Sequence, residues 1–77
     1  MKPIDSKTVK KFNHNGVWIN NVTVYIYCNE DEDEGYYDYI TIDENGNEID
    51  SCGGFCTIEG AYDCAGIKII IYLKNDN

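Results

Sequence analysis

The stretch VWINNVTVYIYC, residues 17–28, decides the fold class of this chain. β-Branched and aromatic residues dominate it, and they favour a pleated strand over a helix. In an extended chain, successive side chains point to opposite sides. One side then carries Val22, Val24, Ile26 and Cys28, and the other carries Thr23, Tyr25 and Tyr27. The pair Asn20–Asn21 predicts a bulge or bend within this strand.

Two further segments alternate in the same way. Residues 36–42 (YYDYITI) set Ile40 and Ile42 against Tyr37, Tyr39 and Thr41, and residues 67–73 (IKIIIYL) predict a central strand. Residues 8–13 leave two possibilities open. They form either a strand that pairs through a turn at residues 14–16, or one helical turn capped by Asp5 or Ser6. The strand interpretation agrees better with the rest of the pattern.

The connections complete the predicted architecture. Asn45–Gly46 is the residue pair that a type I′ hairpin turn prefers, and Ile49 would begin the return strand. Residues 30–35 predict a charged loop, and residues 51–66, with four glycines, predict an irregular loop. We therefore expect one mainly β domain over residues 1–77. It would contain a small antiparallel sheet of about four strands, a cysteine-rich loop clamped by metal and at most one short helix.

The distribution of charge restricts the class of partner. The net charge is −8, the chain has no arginine, and the segment between Lys11 and Lys68 holds twelve of the fourteen acids without any basic residue. Such a surface repels phosphates, so nucleic acid and anionic membranes are expected to be poor direct partners. The expected partner is a basic protein surface. The absence of an apolar membrane span or signal segment predicts a soluble protein of the cytoplasm.

The four cysteines suggest a metal centre. Zinc prefers four soft ligands in a tetrahedron, and a glycine-bearing loop can wrap thiolates around one ion. The predicted site is a structural Zn²⁺ centre formed by Cys28, Cys52, Cys56 and Cys64. Two disulfides and four free thiols are the alternatives, and His14 is a possible substitute ligand.

An enzyme is not expected. Four cysteine ligands would leave zinc no open position for substrate. With one histidine, two serines and no arginine, a hydrolytic triad or a phosphoryl-transfer site is difficult to assemble.

An acidic run followed by tyrosines is the candidate contact surface. Ten carboxylates fall between residues 30 and 50, where they repel one another, so we expect them to serve a function. A solvated loop that aids solubility is the alternative. Tyrosine is a favoured interface residue because it adds contact area at low entropic cost. The predicted partner-binding residues are Glu30, Asp31, Glu32, Asp33, Glu34, Tyr36, Tyr37, Asp38 and Tyr39.

In its small size, its lack of arginine and its acidic run beside tyrosine-rich strands, the chain resembles phage-encoded anti-CRISPR proteins that inhibit type II systems. The cysteine set is similar to what a zinc-bearing member of that group would show. The resemblance implies binding to the Cas9–guide RNA complex in the host bacterial cytosol and a block on loading of target DNA. The acidic surface is expected to act as a DNA mimic, because carboxylates at alternate positions of a strand and alternate phosphates of a DNA strand have similar spacings. The alternative function is a structural zinc-binding module that joins subunits of a phage or bacterial assembly.

Overall fold

The computed structural model describes residues 2–29 and 36–67. These residues form strands β1 (Asp5–His14), β2 (Val17–Cys28), β3 (Tyr37–Ile42) and β4 (Glu48–Phe55), followed by helix α1 (Ile58–Ala65). Within the described ranges the four strands form one antiparallel sheet in the order β1-β2-β3-β4. The predicted mainly β fold, an antiparallel sheet of about four strands with at most one short helix, is therefore confirmed.

The first hairpin turns at an Asn–Gly pair. Asn15 has a φ of 52° and Gly16 a φ of 86°, and the turn joins the facing residues His14 and Val17. Positive φ at both central residues is the mark of a type I′ turn, whose twist matches that of the strands. Residues 8–13 lie inside β1, so the strand interpretation is correct and the alternative of a helical turn is wrong.

The second hairpin uses a different turn from the one predicted. Gly46 has a φ of 88°, but Asn45 is not among the residues with positive φ, so a type I′ turn does not form at Asn45–Gly46. The Gly46 N–H donates to the carbonyl oxygen of Asp43 at 3.0 Å, and the Asp43 N–H donates to that of Asn47 at 2.9 Å. This is the longer hairpin loop in which one left-handed glycine closes an ordinary turn.

Asn21 interrupts the alternation of the first hairpin, as the sequence predicted. Its φ is 56°, and Lys10 and Asn21 are missing from an otherwise continuous register. Val9 and Phe12 consequently both face the helix, although they are three residues apart: Val9 packs against the core and the Phe12 ring lies against Gly66. The part of the hairpin between Lys11 and Asn20 is therefore rotated relative to the part that precedes Lys10 and follows Asn21.

Residues 51–66 are not an irregular loop. β4 continues to Phe55, and α1 begins after Thr57, whose hydroxyl accepts from the Gly60 N–H at 2.9 Å. Gly66 ends the helix with a φ of 105°. Apolar residues at positions 58, 61, 62 and 65 face the sheet, which is the spacing of an amphipathic helix. Packing of this face explains why a helix forms despite an internal glycine.

Helix α1 covers one face of the sheet, and the core lies between them. The buried apolar residues are Phe12, Val22, Val24, Ile26, Tyr39, Ala61, Tyr62, Ala65 and Ile67. Of the predicted strand 67–73, only Ile67 falls within the described residues. The predicted loop at residues 30–35 lies outside them. None of the described residues belongs to a helix long and apolar enough to cross a bilayer.

Candidate functional site

The open face of the sheet, on the side opposite α1, is the candidate contact surface. In the described residues α1 packs on the other side, so no described element covers this one. The strand register aligns its side chains in three rows: Thr8–Thr23–Ile42–Glu48, Ser6–Tyr25–Ile40–Ser51, and Tyr27–Asp38–Gly53. Tyr25, Tyr27, Ile40 and Ile42 are half-buried there. The open face thus offers a flat, partly apolar and tyrosine-bearing surface.

The four predicted partner-binding residues that the structure describes do not lie on one surface. Glu30, Asp31, Glu32, Asp33 and Glu34 lie outside the described residues. Tyr36 precedes β3 and is 50% exposed, whereas the half-buried Tyr37 packs against the core on the helix side. Asp38 belongs to the open face. Alternation along β3 separates Asp38 from its two neighbours.

Tyr39 is a core residue, which corrects the prediction of an exposed contact. Its side chain is 2% exposed, and its ring lies 5.8 Å from that of Phe55. The hydroxyl donates to Asp50 Oδ2 at 2.8 Å and lies 4.0 Å from Cys64 Sγ. Burial, together with the adjacent Asp50 carboxylate, raises the pKa of Tyr39 well above its usual value. Tyrosine can occupy a core when its hydroxyl has a partner.

Tyr62, on the helix, is likewise a buried tyrosine whose hydroxyl has a hydrogen-bond partner. It is fully buried, and its hydroxyl donates to Asp5 Oδ2 at 2.9 Å. Lys7 Nζ lies 5.6 Å from the centre of its ring. Burial and the Asp5 carboxylate raise the pKa of Tyr62. Tyr39, which the sequence suggested for a surface, and Tyr62 therefore both connect the sheet to the helix.

Asp38 is held in place across the open face. Its Oδ1 accepts from the Gly54 N–H at 3.3 Å, and its Oδ2 accepts from Asn29 Nδ2 at 3.5 Å. A Cβ added at Gly53 would lie only 2.3 Å from Asp38 Oδ1, so glycine is what leaves room for the carboxylate. Gly54, with a φ of 88°, forms the adjoining bulge in β4. Hydrogen bonds therefore hold the Asp38 carboxylate in one position, unlike that of a freely solvated side chain.

The turn between β3 and β4 adds further acids at one end of the open face. Asp43 Oδ1 accepts from the Asn47 and Asn45 N–H groups, each at 2.9 Å, and these bonds lower the pKa of Asp43. Glu44 Oε1 accepts from Asn21 Nδ2 at 3.1 Å. Glu44 and Glu48 are exposed. The hydrogen bonds at this turn therefore favour the ionised form of Asp43, and the Glu44 and Glu48 side chains face solvent.

Charge is divided between the two halves of the sheet. Residues 2–29 carry four lysines and one acid, Asp5, whereas residues 36–67 carry seven acids and no basic residue. β2 has no charged side chain and separates the two sets. Because β1 is an edge strand of the described sheet, its lysines form a basic edge, and the acids lie in the half formed by β3, β4 and α1.

The four cysteines lie on different elements. Cys28 ends β2, Cys52 lies in β4, Cys56 follows β4, and Cys64 lies in α1. None is in a disulfide, and the last three are exposed. No three His, Cys, Asp or Glu side chains of the described residues are grouped so that they could hold a metal ion. The zinc centre stays a prediction.

His14 lies at the turn of the first hairpin, at the opposite end of β2 from Cys28. Its ring stacks on Phe12 with 6.4 Å between ring centres, and its Nε2 lies 3.4 Å from Asn15 Nδ2. Both contacts are made within the hairpin, so they give the His14 ring a structural role there.

Sequence reasoning missed the most exposed aromatic residue of the described part of the chain. Trp18 is 67% exposed and its neighbour Val17 is 60% exposed, both at the start of β2. A signal that could have found them was the position of this pair directly after the Asn15–Gly16 turn, since hairpin ends project from a sheet. No family model, curated protein or solved structure matches this chain.

Proposed function

We propose that this protein binds a basic surface of another protein through its open face and the adjoining acidic turn, and thereby blocks that surface. The observation that carries the proposal is the charge of this surface: four acids, Asp38, Asp43, Glu44 and Glu48, lie on the open face or its turn, and residues 36–67 contain no basic residue. The two acidic strands are held by an antiparallel sheet, so the carboxylates approach a partner as a fixed array.

The open face supplies the apolar part of such an interface. Tyr25 and Tyr27 lie beside Ile40, with Asp38 and Glu48 in neighbouring rows. Aromatic residues in the centre with charges around them are the usual arrangement of a protein–protein contact. Carboxylates at the rim would accelerate association with a basic partner and select against acidic ones.

The partner that we propose is the Cas9–guide RNA complex. The support is the resemblance to type II anti-CRISPR proteins together with the charge pattern, because a cleft that accepts DNA is lined with basic residues. Occupying it with carboxylates would prevent target DNA from loading.

A binding and cleavage assay tests this proposal. We expect the protein to bind immobilised Cas9–guide complex and to inhibit cleavage of target DNA, with affinity falling steeply as salt rises. The variant E44Q/E48Q removes two charges beside the open face and should weaken inhibition at least about tenfold, the order seen when close interfacial charge pairs are broken.

The matched control is E59Q/D63N, which removes two exposed charges on α1, away from the open face. It should retain nearly full inhibition. Equal potency of both variants would show that net charge, and not this surface, is responsible. Failure to bind any Cas9–guide complex would exclude the proposed partner.

A further inference from the structure

The end of the first hairpin carries a second surface of opposite character. The hairpin patch comprises Lys10, Lys11, Asn13, Trp18 and Asn20, all exposed. Asn13 faces Trp18 and Lys11 faces Asn20 across the strand pair. Because Phe12 points to the helix side, its neighbours Lys11 and Asn13, with their partners, point to the opposite side. The patch therefore combines an exposed indole, two lysines and two amides.

Basic charge prevails locally although the whole chain is acidic. From residue 6 to residue 29 there are three lysines and no acid. β3 ends at Ile42, opposite Thr23, so the hairpin continues beyond the acidic strands. Trp18 lies five residues further on, or roughly 16 Å along the strand. That is about twice the screening length at physiological ionic strength, so Asp38, the acid within β3, is screened from Trp18. Glu44 lies nearer, because it contacts Asn21, and a hydrogen bond to a neutral amide does not offset its charge; the two lysines of the patch outnumber this one carboxylate.

The chemistry of the hairpin patch selects one class of ligand. An exposed aromatic ring offers a stacking surface for any unpaired base, and lysines beside it neutralise the backbone phosphates. The amides of Asn13 and Asn20 can hydrogen-bond to bases or phosphates. An anionic membrane is a poorer fit because those amides would lose hydrogen bonds to water on insertion.

We propose that the hairpin patch binds single-stranded nucleic acid, with Trp18 stacking on a base and Lys10 and Lys11 contacting phosphates. This inference does not depend on the proposed function. It departs from the expectation, based on net charge, that nucleic acid is a poor direct partner, because the fold concentrates the lysines on one edge.

Trp18 is the single tryptophan of the chain, so its fluorescence reports on the patch directly. Titration with poly(dT) or poly(U) in low-salt buffer should quench this fluorescence, since a stacked base takes up the excitation of the indole. We expect micromolar dissociation constants, in the range of non-specific binding, roughly 1–100 μM.

Substitutions assign the contacts by anisotropy of a labelled oligonucleotide. Trp18→Ala should weaken binding roughly 5- to 150-fold, the range for loss of one stacked base, and Trp18→Phe should restore most of it. Lys11→Gln should reduce the slope of log affinity against log salt by about 0.7. Lys2→Gln is the matched control: Lys2 precedes β1, at the end of the strand away from the hairpin turn, so this substitution should leave affinity nearly unchanged.

Three results would overturn the proposal. The first is unquenched fluorescence at saturating polynucleotide. The second is equal affinity of the Trp18→Ala variant and the wild-type protein, with circular dichroism showing both folded. The third is a blue-shifted emission with anionic phospholipid vesicles in the absence of any response to polynucleotide, which would assign the patch to a membrane.

Discussion

Thr41 carries a hydroxyl that the core does not accommodate. The residue is fully buried between Val24 and Asp50 in the strand register, and its Oγ1 has no hydrogen-bond partner among the described residues. An unpaired buried hydroxyl costs roughly 1–3 kcal/mol. Thr41→Val removes that hydroxyl while keeping the branched shape, so it should stabilise the protein by about 1 kcal/mol in urea unfolding.

The matched control for this substitution is Thr23→Val. Thr23 lies on the open face, and its hydroxyl is 2.8 Å from that of Thr8. Removal of a paired hydroxyl should give no gain and a loss of about 0.5–1.5 kcal/mol. If Thr41→Val destabilised the protein as Thr23→Val does, the Thr41 hydroxyl would have a partner in solution.

Tyr39 and Tyr62 determine how the protein responds to alkaline pH. Burial and a neighbouring carboxylate raise the pKa of both in the folded state. Between the unfolded and folded pKa values, the native state binds more protons than the unfolded one. Stability is therefore complete below about pH 10 and falls above it, by about 1.4 kcal/mol per pH unit for each tyrosine.

Urea unfolding as a function of pH checks this expectation, with phenolate absorbance to follow ionisation. Tyr39→Phe and Tyr62→Phe should each lower stability at neutral pH, because an aspartate loses its donor. Each should also flatten the alkaline decline. An unchanged decline in both variants would assign it to other groups.

At the level of elements, the sequence predicted where both hairpin turns lie but not which of them is type I′. The sequence contains two Asn–Gly pairs, and the type I′ turn was predicted at Asn45–Gly46, whereas it forms at Asn15–Gly16. Asp43 accounts for the difference, because its carboxylate accepts from the Asn45 and Asn47 N–H groups and favours the longer loop. The pattern of strands was a stronger guide, since alternation in residues 22–28 identified the two faces of that part of β2 correctly.

Helix α1 was missed although its signals are present. Thr57 is an N-cap residue, Gly66 a C-cap glycine, and the apolar spacing between them is helical. Four glycines and three cysteines in the same segment suggested a metal-bound loop instead. The burial of Tyr39, in contrast, was beyond reach, because alternation divides a strand into two faces without saying which one the helix covers.

The predicted zinc centre is a hypothesis about how these elements connect, because its four ligands lie on or beside β2, β4 and α1. If zinc is bound, elemental analysis should give about one ion per chain, and a chelator should lower the melting temperature strongly, since structural zinc contributes on the order of 10 kcal/mol. Cys52→Ser should abolish binding, and Ser51→Ala serves as its neighbour control. A metal-free chain with an unchanged melting temperature would exclude the centre.

On the scale of the whole molecule, net charge conceals a separation of charge among the described residues. The sequence shows where the acids and lysines occur, but only the strand order shows that the lysines of residues 2–29 and the acids of residues 36–67 lie on opposite sides of an uncharged strand. The two proposed surfaces follow from that separation: an acidic half suited to a basic protein, and a basic hairpin suited to a polyanion. A ribonucleoprotein would offer both kinds of partner at once.

The order of the strands also has a kinetic consequence. Each described strand pairs with the one that precedes it in the chain, and the first pair closes through two residues, Asn15 and Gly16. Contacts between sequence neighbours require little chain entropy for closure, so such a topology folds quickly for a β protein. The nucleus is expected in the β1–β2 ribbon, with the helix docking afterwards on a preformed sheet. The segment that begins the folding reaction is thus the same one that presents the tryptophan.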